Sequence, residues 1–516
     1  MLNIFKNLKL SKNILIPLFF ITYLISGLII ASDYGISWDE PISRINGIVS
    51  VNYVFSGDDY LFDYIDKDYG VIIEMPLVLA ERYLGFLDNI HDLYIMRHLC
   101  TFLTFYVGVV FFFLLVKNHF NNHWFSLLGS TMLILSPRIF AQSFYNSKDI
   151  PFLSLFIISI YLLIKYLQSR KIINLVFLAI ASAFLIDVRI IGLLIPFFSL
   201  TFLFFAPTEK NSSEISVKVI HSVVYLIIMS IVVFIFWPYL RQQPITHLIT
   251  AWQRMSKFPW PETVLFGGHY LSSAEIPRYY VLTWIGITTP IIYLLTSIIG
   301  AIGILLNIIK NPYIYFKKNH TSFLFLLWVY LPLLMVNILG SILYDDWRHL
   351  YFIYPGMIIL ALLGIQYLWN YFAKKSIFRI LMCVLLILNM GNTFWFMLKS
   401  HPNQQVYFNE LVGNYENAKK NFDFDYWGLS FKQGLEYIIT HDKRDKIVLY
   451  TKQRVAKYNA DALPNDQKER IYFTDNINEA DYYVTNYRWD SEEYKNYNEV
   501  FNVSVNGAKL MGVYKL

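Results

Sequence analysis

Asn13-Ile-Leu-Ile-Pro-Leu-Phe-Phe-Ile-Thr-Tyr-Leu-Ile-Ser-Gly-Leu-Ile-Ile30 leads into Ile36-Ser-Trp-Asp-Glu-Pro41. The first stretch is long and apolar enough to cross a bilayer, which takes about 20 residues. The second sets two adjacent acids, Asp39 and Glu40, just past its end. Charge at a membrane interface is costly, and a chain this apolar carries little of it without a use. Lys6, Lys9 and Lys12 ahead of the run give it the charge order of a signal peptide. However, the run ends in Ile29-Ile30-Ala31-Ser32-Asp33 without a clear small-residue cleavage site, so it reads as a retained first span.

Such runs recur along the chain. Of 516 residues, 56% are hydrophobic, 18% aromatic and only 16% charged, where a soluble domain carries about 25% charged residues. Runs near 13–31, 96–116, 123–136, 150–167, 172–187, 190–206, 217–239, 280–309, 321–342, 350–372 and 377–398 predict a polytopic α-helical membrane protein of about eleven spans. The run 123–136 is short, and Asp187 and Arg189 split two neighbouring runs. The net charge of +6 comes from basic residues dispersed in short loops, which argues against a nucleic-acid partner. Cys100 and Cys383 both lie in apolar segments, so neither a disulfide framework nor a thiolate metal site is supported.

Alternate loops differ in charge. Lys6/Lys9/Lys12, Lys117, Lys165/Arg170/Lys171, Lys210/Lys218, Lys310/Lys317/Lys318 and Lys374/Lys375/Arg379 fall on one side, where the acids are Glu209 and Glu214. By the positive-inside rule that side is cytoplasmic, with the N-terminus. The opposite loops are acidic, and two are long: 32–95, with a candidate membrane-surface helix at Glu74–Gly85, and 240–279, with Trp252, Pro259, Trp260, Pro261 and Tyr270. A transmembrane part, 1–398, is thus followed by a polar tail, 399–516. The tail carries candidate helices at 403–420 and 427–440, then strand-like segments at 447–451, 470–474, 482–485, 498–504 and 508–515. It reads as a small extracytoplasmic α/β domain with its own core.

The acidic side also collects bases: Arg44, Arg138, Lys148, Arg189, Arg241 and Arg348 beside Asp39, Glu40, Asp149, Asp187, Asp345 and Asp346. Arginine and lysine at an interface can hold a lipid-linked phosphate. A neighbouring carboxylate can take the proton from an attacking hydroxyl. Displacement at a sugar's anomeric carbon needs both. Each element also has a plainer reading. Asp39-Glu40-Pro41 suits a helix start. Arg138 and Lys148 could be snorkelling anchors. Asp187 and Arg189 could pair across a turn, and Asp345, Asp346 and Arg348 could form a solvated loop. His349 alone says little. No P-loop, GxGxxG, CxxC or HExxH motif is present.

The Trp38-Asp39-Glu40 run behind span one resembles the acidic motif of the GT-C glycosyltransferases. The resemblance is closest to the dolichyl-phosphate-mannose–protein mannosyltransferases and their bacterial relatives, glycosyltransferase family 39. Ser136-Pro-Arg-Ile-Phe-Ala-Gln-Ser-Phe-Tyr-Asn-Ser-Lys-Asp-Ile-Pro151 is the most specific match. Tyr344-Asp-Asp-Trp-Arg-His-Leu-Tyr351 with Tyr354-Pro355 is similar to the family's last-loop motif. His401-Pro-Asn-Gln-Gln-Val-Tyr-Phe-Asn409 and Asp425-Tyr-Trp-Gly-Leu-Ser430 are similar to the start of the bacterial tail. The resemblance implies a GT-C fold, with Asp39 as catalytic base, Glu40 beside it and Asp149 assisting. Arg138, Lys148, Arg189 and Arg348 become candidates for the donor phosphate; Tyr344, Asp345, Asp346 and His349 are candidate substrate contacts. Asp39/Glu40 and Asp345/Asp346 could hold a divalent metal, but the resemblance implies no obligate one and no cofactor. There is no β-trefoil insert to argue for a protein acceptor, and the tail beyond about residue 440 resembles nothing named.

Together with the polar groups on one face, the resemblance implies a hexosyltransferase of a plasma (inner) membrane, acting with inversion on a polyprenyl-phosphate sugar as donor. The acceptor is a hydroxyl of a protein, glycan or lipid on the outer face. A transporter or lipid flippase is the alternative, but it expects ionisable residues near mid-span rather than at one interface. A non-catalytic membrane scaffold acting through its tail is the other.

Overall fold

A bilayer offers no water to the backbone, so each apolar run must pair its own N–H and C=O groups and does so as helix. The computed structural model describes residues 12–206, 215–256, 260–489, 494 and 496–516. Lys6, Lys9, Glu209, Lys210, Glu214 and Pro259 lie outside them. Span α1 (Lys12–Ile30) is followed by α2 (Asp39–Ser56) and α3 (Glu74–Leu84), then α4 (Ile90–Phe120), α5 (His123–Ile134) and α6 (Pro137–Tyr145). Next come α7 (Asp149–Ser169), α8 (Ile172–Val188), α9 (Leu194–Phe205) and α10 (Ile215–Phe236). Helix α11 (Pro244–Ser256) and the hairpin β1–β2 (Thr263–Phe266, His269–Ser272) fill the expected 240–279 loop. The remaining apolar helices are α12 (Tyr280–Thr288), α13 (Ile291–Lys310), α14 (Pro312–Leu339), α15 (Tyr354–Tyr371) and α16 (Ser376–Lys399).

Every expected run is helical, but fewer than eleven are full spans. Among the described residues eight helices are long and apolar enough to cross a membrane; α5 and α6, bent by 70°, make a ninth if counted as one broken span. The segments 172–188 and 190–205 are shorter apolar helices. The run 280–309 breaks at Pro290, whose ring fixes φ and removes a donor. Helices α13 and α15 cross with their backbones in contact. A Cβ at Gly300 would overlap the Leu360 carbonyl, and one at Gly364 the Thr296 carbonyl.

Helix α6 is buried along nearly its whole length, including Arg138 and Gln142. Enclosure by protein is what lets a helix beside a membrane span carry polar side chains. Helix α3 forms where a membrane-surface helix was expected, but its two carboxylates face inward. Glu74 and Glu81 are buried against Arg97 of α4, while Tyr83 and Leu84 are exposed. An interior cation, absent from the local pattern, decides which stripe turns inward.

In the tail the expected helix over 403–420 is instead two 3-10 turns, Gln404–Val406 and Glu410–Val412, and α17 (Tyr415–Asn421). The Asn409 and Asn414 side chains accept from backbone amides two and three residues on, at Leu411 and Asn417, and compete with helix. Helix α18 (Phe431–His441) is followed by β3 (Ile447–Tyr450), α19 (Val455–Ala460), α20 (Asn465–Lys468), β4 (Ile471–Thr474), β5 (Tyr482–Thr485), β6 (Asn498–Val505) and β7 (Ala508–Lys515). The strand order is β4-β3-β5-β7-β6, with β3 parallel to β4 and β5, and β7 antiparallel to β5 and β6.

The tail is stitched to the loop that carries Asp39. The Ile36 amide donates to Asn459 Oδ1 (3.1 Å), and Asn459 Nδ2 donates back to the Ile36 carbonyl (3.0 Å). The Tyr34 hydroxyl donates to Gln404 Oε1 at 3.0 Å.

Candidate active site

Asp39 and Glu40 open α2, and one step along a helix turns their side chains apart by about 100°. Glu40 points inward: Oε2 accepts from the Ser37 amide at 2.7 Å, and Oε1 lies 2.9 Å from His98 Nε2. It is 2% exposed. The Asp39 carboxylate, with its side chain 32% exposed, lies 2.8 Å from Arg348 Nη1.

Arg348 is the hub. Its guanidinium also lies 3.7 Å from Asp149 and 3.6 Å from Asp345, over the rings of Trp427 (4.6 Å) and Tyr344 (5.2 Å). Asp149 is held in turn by Arg189 and by Asn146, whose amide donates to Oδ2 at 2.9 Å. The Lys148 ammonium sits 4.2 Å from the centre of the Tyr69 ring. Burial alone would raise the Asp39 carboxyl, but the charges of Arg348, Lys148 and Arg189 outweigh it and hold the group below its ordinary value.

Asp345 and Asp346 adopt left-handed backbone, with φ of 52° and 63°. For non-glycine residues this costs roughly 1–2 kcal/mol each, so both need strong anchors. Asp345 Oδ1 accepts from Arg488 of the tail at 2.6 Å. Asp346 Oδ2 accepts from Arg138 Nη1 (3.0 Å), Tyr351 (2.8 Å) and Tyr426 (2.7 Å). Burial raises the Asp346 carboxyl, although Arg138 and the two phenols act the other way. Arg138 further donates to the Tyr407 carbonyl at 3.0 Å and lies against Trp284 and Phe408.

A cavity of about 1200 Å³, including its open mouth, connects these groups. Asp39, Lys148, Arg189, Arg348, Tyr344 and His349 line it, with Tyr69 and Asp187. Much of the remaining lining is apolar, with Ile190, Ile191, Met255, Met335, Val336 and Leu343 among others. Glu40, Arg138, Asp149, Asp345 and Asp346 stand behind this lining. Arg138 is paired with Asp346 and is not among the side chains that line the cavity. The residues not foreseen are Tyr69, Trp427, Tyr426, Arg488 and Asn459. Asp425-Tyr-Trp-Gly was visible as a motif, whereas Arg488 had no local signal. Among the described residues, no group of three or more His, Cys, Asp or Glu side chains is placed to hold a metal ion.

A cavity lined by Lys148, Arg189 and Arg348, by the Asp39 carboxylate and by many apolar side chains can take an amphiphile with an anionic head and leave a base beside it. The family described as Dolichyl-phosphate-mannose-protein mannosyltransferase matches residues 90–237, which cover α4 to α10 and thus Arg138, Lys148, Asp149 and Arg189. No curated protein matches the sequence. Among solved structures, apo ArnT from Cupriavidus metallidurans is 11% identical over 98% of each chain, with a TM-score of 0.50. ArnT bound to undecaprenyl phosphate is 10% identical over 96% of this chain and 97% of that one, with a TM-score of 0.48. The apo likeness is one of fold. Residues 90–237 thus match the model of the dolichyl-phosphate-mannose-protein mannosyltransferases, the chain as a whole shares the fold of apo ArnT, and its long apolar helices make it a multi-pass membrane protein.

Proposed function

We propose that the protein transfers one sugar from a polyprenyl-phosphate donor to a hydroxyl of a protein, glycan or lipid, with inversion. The observation that carries this reading is Asp39, 2.8 Å from Arg348 in one cavity that Lys148, Arg189 and apolar side chains also line. The matched family is described by a lipid-phosphate sugar, and the cavity offers cationic and apolar side chains for the two halves of such a molecule. Lys148, Arg189 and Arg348 hold the phosphate while Ile190, Met335, Val336 and Leu343 face the prenyl chain. The acceptor proton goes to the Asp39 carboxylate. The acceptor oxygen bonds to the anomeric carbon, and the bond to the phosphate oxygen breaks, releasing polyprenyl phosphate. Asp39 and the phosphate share Arg348. As negative charge grows on the departing phosphate, Arg348 is drawn to it and Asp39 becomes more basic when a base is needed. No metal enters this scheme.

The basic loops support a plasma-membrane enzyme with its N-terminus cytoplasmic and the site and tail outside. Residues 1–398 and 399–516 then act as a membrane part and an external part of one catalytic unit.

Two outcomes follow for steady-state kinetics with a labelled donor. Lys148→Ala raises the donor KM by about tenfold with a smaller effect on kcat, since it removes a phosphate contact common to ground and transition states. A change in kcat alone would place Lys148 elsewhere. The second concerns pH. Asp39 works as its carboxylate and its value is depressed, so activity persists below the ordinary aspartate value of about 3.9 and is lost only as pH falls further. In Lys148→Ala the depression is smaller and this acid limb of kcat/KM moves up. An acid limb well above that value in the wild type would remove Asp39 from the role of base. Membranes that fail to release sugar from any of a broad panel of polyprenyl-phosphate donors, with the protein folded, would favour transport or scaffolding instead.

A further inference from the structure

We infer that Arg488, near the end of the tail, is a positioning residue for the Arg348–Asp39 pair, acting through Asp345. This rests on the glycosyltransferase reading. Four side chains of alternating charge run from the tail to the cavity: Arg488 to Asp345 at 2.6 Å, Asp345 to Arg348 at 3.6 Å, and Arg348 to Asp39 at 2.8 Å. The spacing is uneven in an informative way. Asp345 bonds tightly to Arg488 and only loosely to Arg348, so Arg348 keeps its short contact for Asp39.

Arg488 sits in a built socket. It is 9% exposed and flanked by left-handed Tyr487 and Trp489, with φ of 59° and 61°. Its backbone carbonyl accepts from Gln453 Nε2 at 3.0 Å and its guanidinium also donates to the Tyr426 carbonyl. Its neighbour Trp489 donates from Nε1 to the Thr263 carbonyl at 2.9 Å, and its ring lies 6.4 Å from that of Trp38, the residue before Asp39. Two strained neighbours around one arginine are maintained only where the surroundings over-determine them. Without Arg488, Asp345 keeps Arg348 as its ion-pair partner. It would draw that guanidinium closer, away from Asp39.

The test uses full-length protein in detergent with lipid, and rates normalised to monodisperse, folded protein. Wild type and Asp39→Asn are assayed first with labelled polyprenyl-phosphate sugar. If they release sugar equally, the glycosyltransferase reading itself fails before any tail variant is measured. With release dependent on Asp39, Arg488→Ala is expected to lower kcat by about tenfold or more. It should also move the acid limb of kcat/KM to higher pH, because Asp39 then faces Lys148, Arg189, Asp149, Tyr69 and Tyr344 with less of Arg348's charge. The double variant Arg488→Ala/Asp345→Asn, which removes the competing carboxylate, should recover to within about threefold of wild type. A tail that was merely loosened would show neither the pH shift nor the recovery. Arg488→Ala at the wild-type rate, or a folded double variant as slow as the single one, would overturn the inference. Should Arg488→Ala not accumulate, the double variant decides: transfer near the wild-type rate supports the inference, and a tenfold loss overturns it.

Discussion

Asp39→Asn abolishes sugar transfer and leaves the protein folded. The amide matches the carboxylate in shape but cannot take a proton from the acceptor, and general-base loss costs about 10²- to 10⁴-fold. The fold tolerates the change because the Asp39 side chain is 32% exposed, and Arg348 retains Asp149 at 3.7 Å and Asp345 at 3.6 Å. Two measurements therefore have to diverge: turnover with a labelled donor falls to background while the melting temperature in detergent stays near wild type. A joint fall would make Asp39 a structural residue.

The largest stability effect is expected at Arg97. It is 2% exposed in α4 and joins two buried carboxylates of α3, Glu74 by direct contact and Glu81 at 2.6 Å. Glu81 also meets Arg44 of α2 at 2.8 Å, and Glu74 accepts from the Ser147 hydroxyl at 2.7 Å, one residue from Lys148. Arg97→Ala leaves two buried carboxylates with one partly exposed arginine between them. Breaking a buried ion pair by removing one partner costs roughly 3–5 kcal/mol, enough to lower the unfolding midpoint sharply. Denaturation in micelles checks this, and a wild-type midpoint would contradict it. Activity should fall as well, because α2 carries Asp39 and α3 and α4 hold α2 in place.

The two predictions differ in how far the sequence foretold them. Spans are legible because a bilayer imposes one length and one composition on every crossing, and Asp39 stood out as a charge where charge is costly. Asp149, Arg189 and Arg348 were visible as polar groups on one face, and the structure brings them together around Asp39. Tertiary pairing was not legible. Arg138 and Arg348 are both interfacial arginines in family-like motifs, yet Asp346, Trp284 and Phe408 bury one behind the site, while the other reaches Asp39. Glu74 and Glu81, seven residues apart, define a stripe on a helix, but only Arg97 from another helix shows that the stripe faces inward. Arg488 is further still from the site in sequence, and its partner Asp345 lies 143 positions away. The shortfall in spans has a simpler source: hydropathy marks α5, α8 and α9 as apolar but does not measure whether each is long enough to cross.

The central claim is tested most directly in membranes containing the wild type or Asp39→Asn, supplied with a panel of radiolabelled polyprenyl-phosphate sugars and their own endogenous acceptors. The expected result is loss of label from one lipid donor with the wild type, its appearance in protein, glycan or lipid, and neither with Asp39→Asn. Equal release by both proteins, or release by neither while both remain folded, would contradict it.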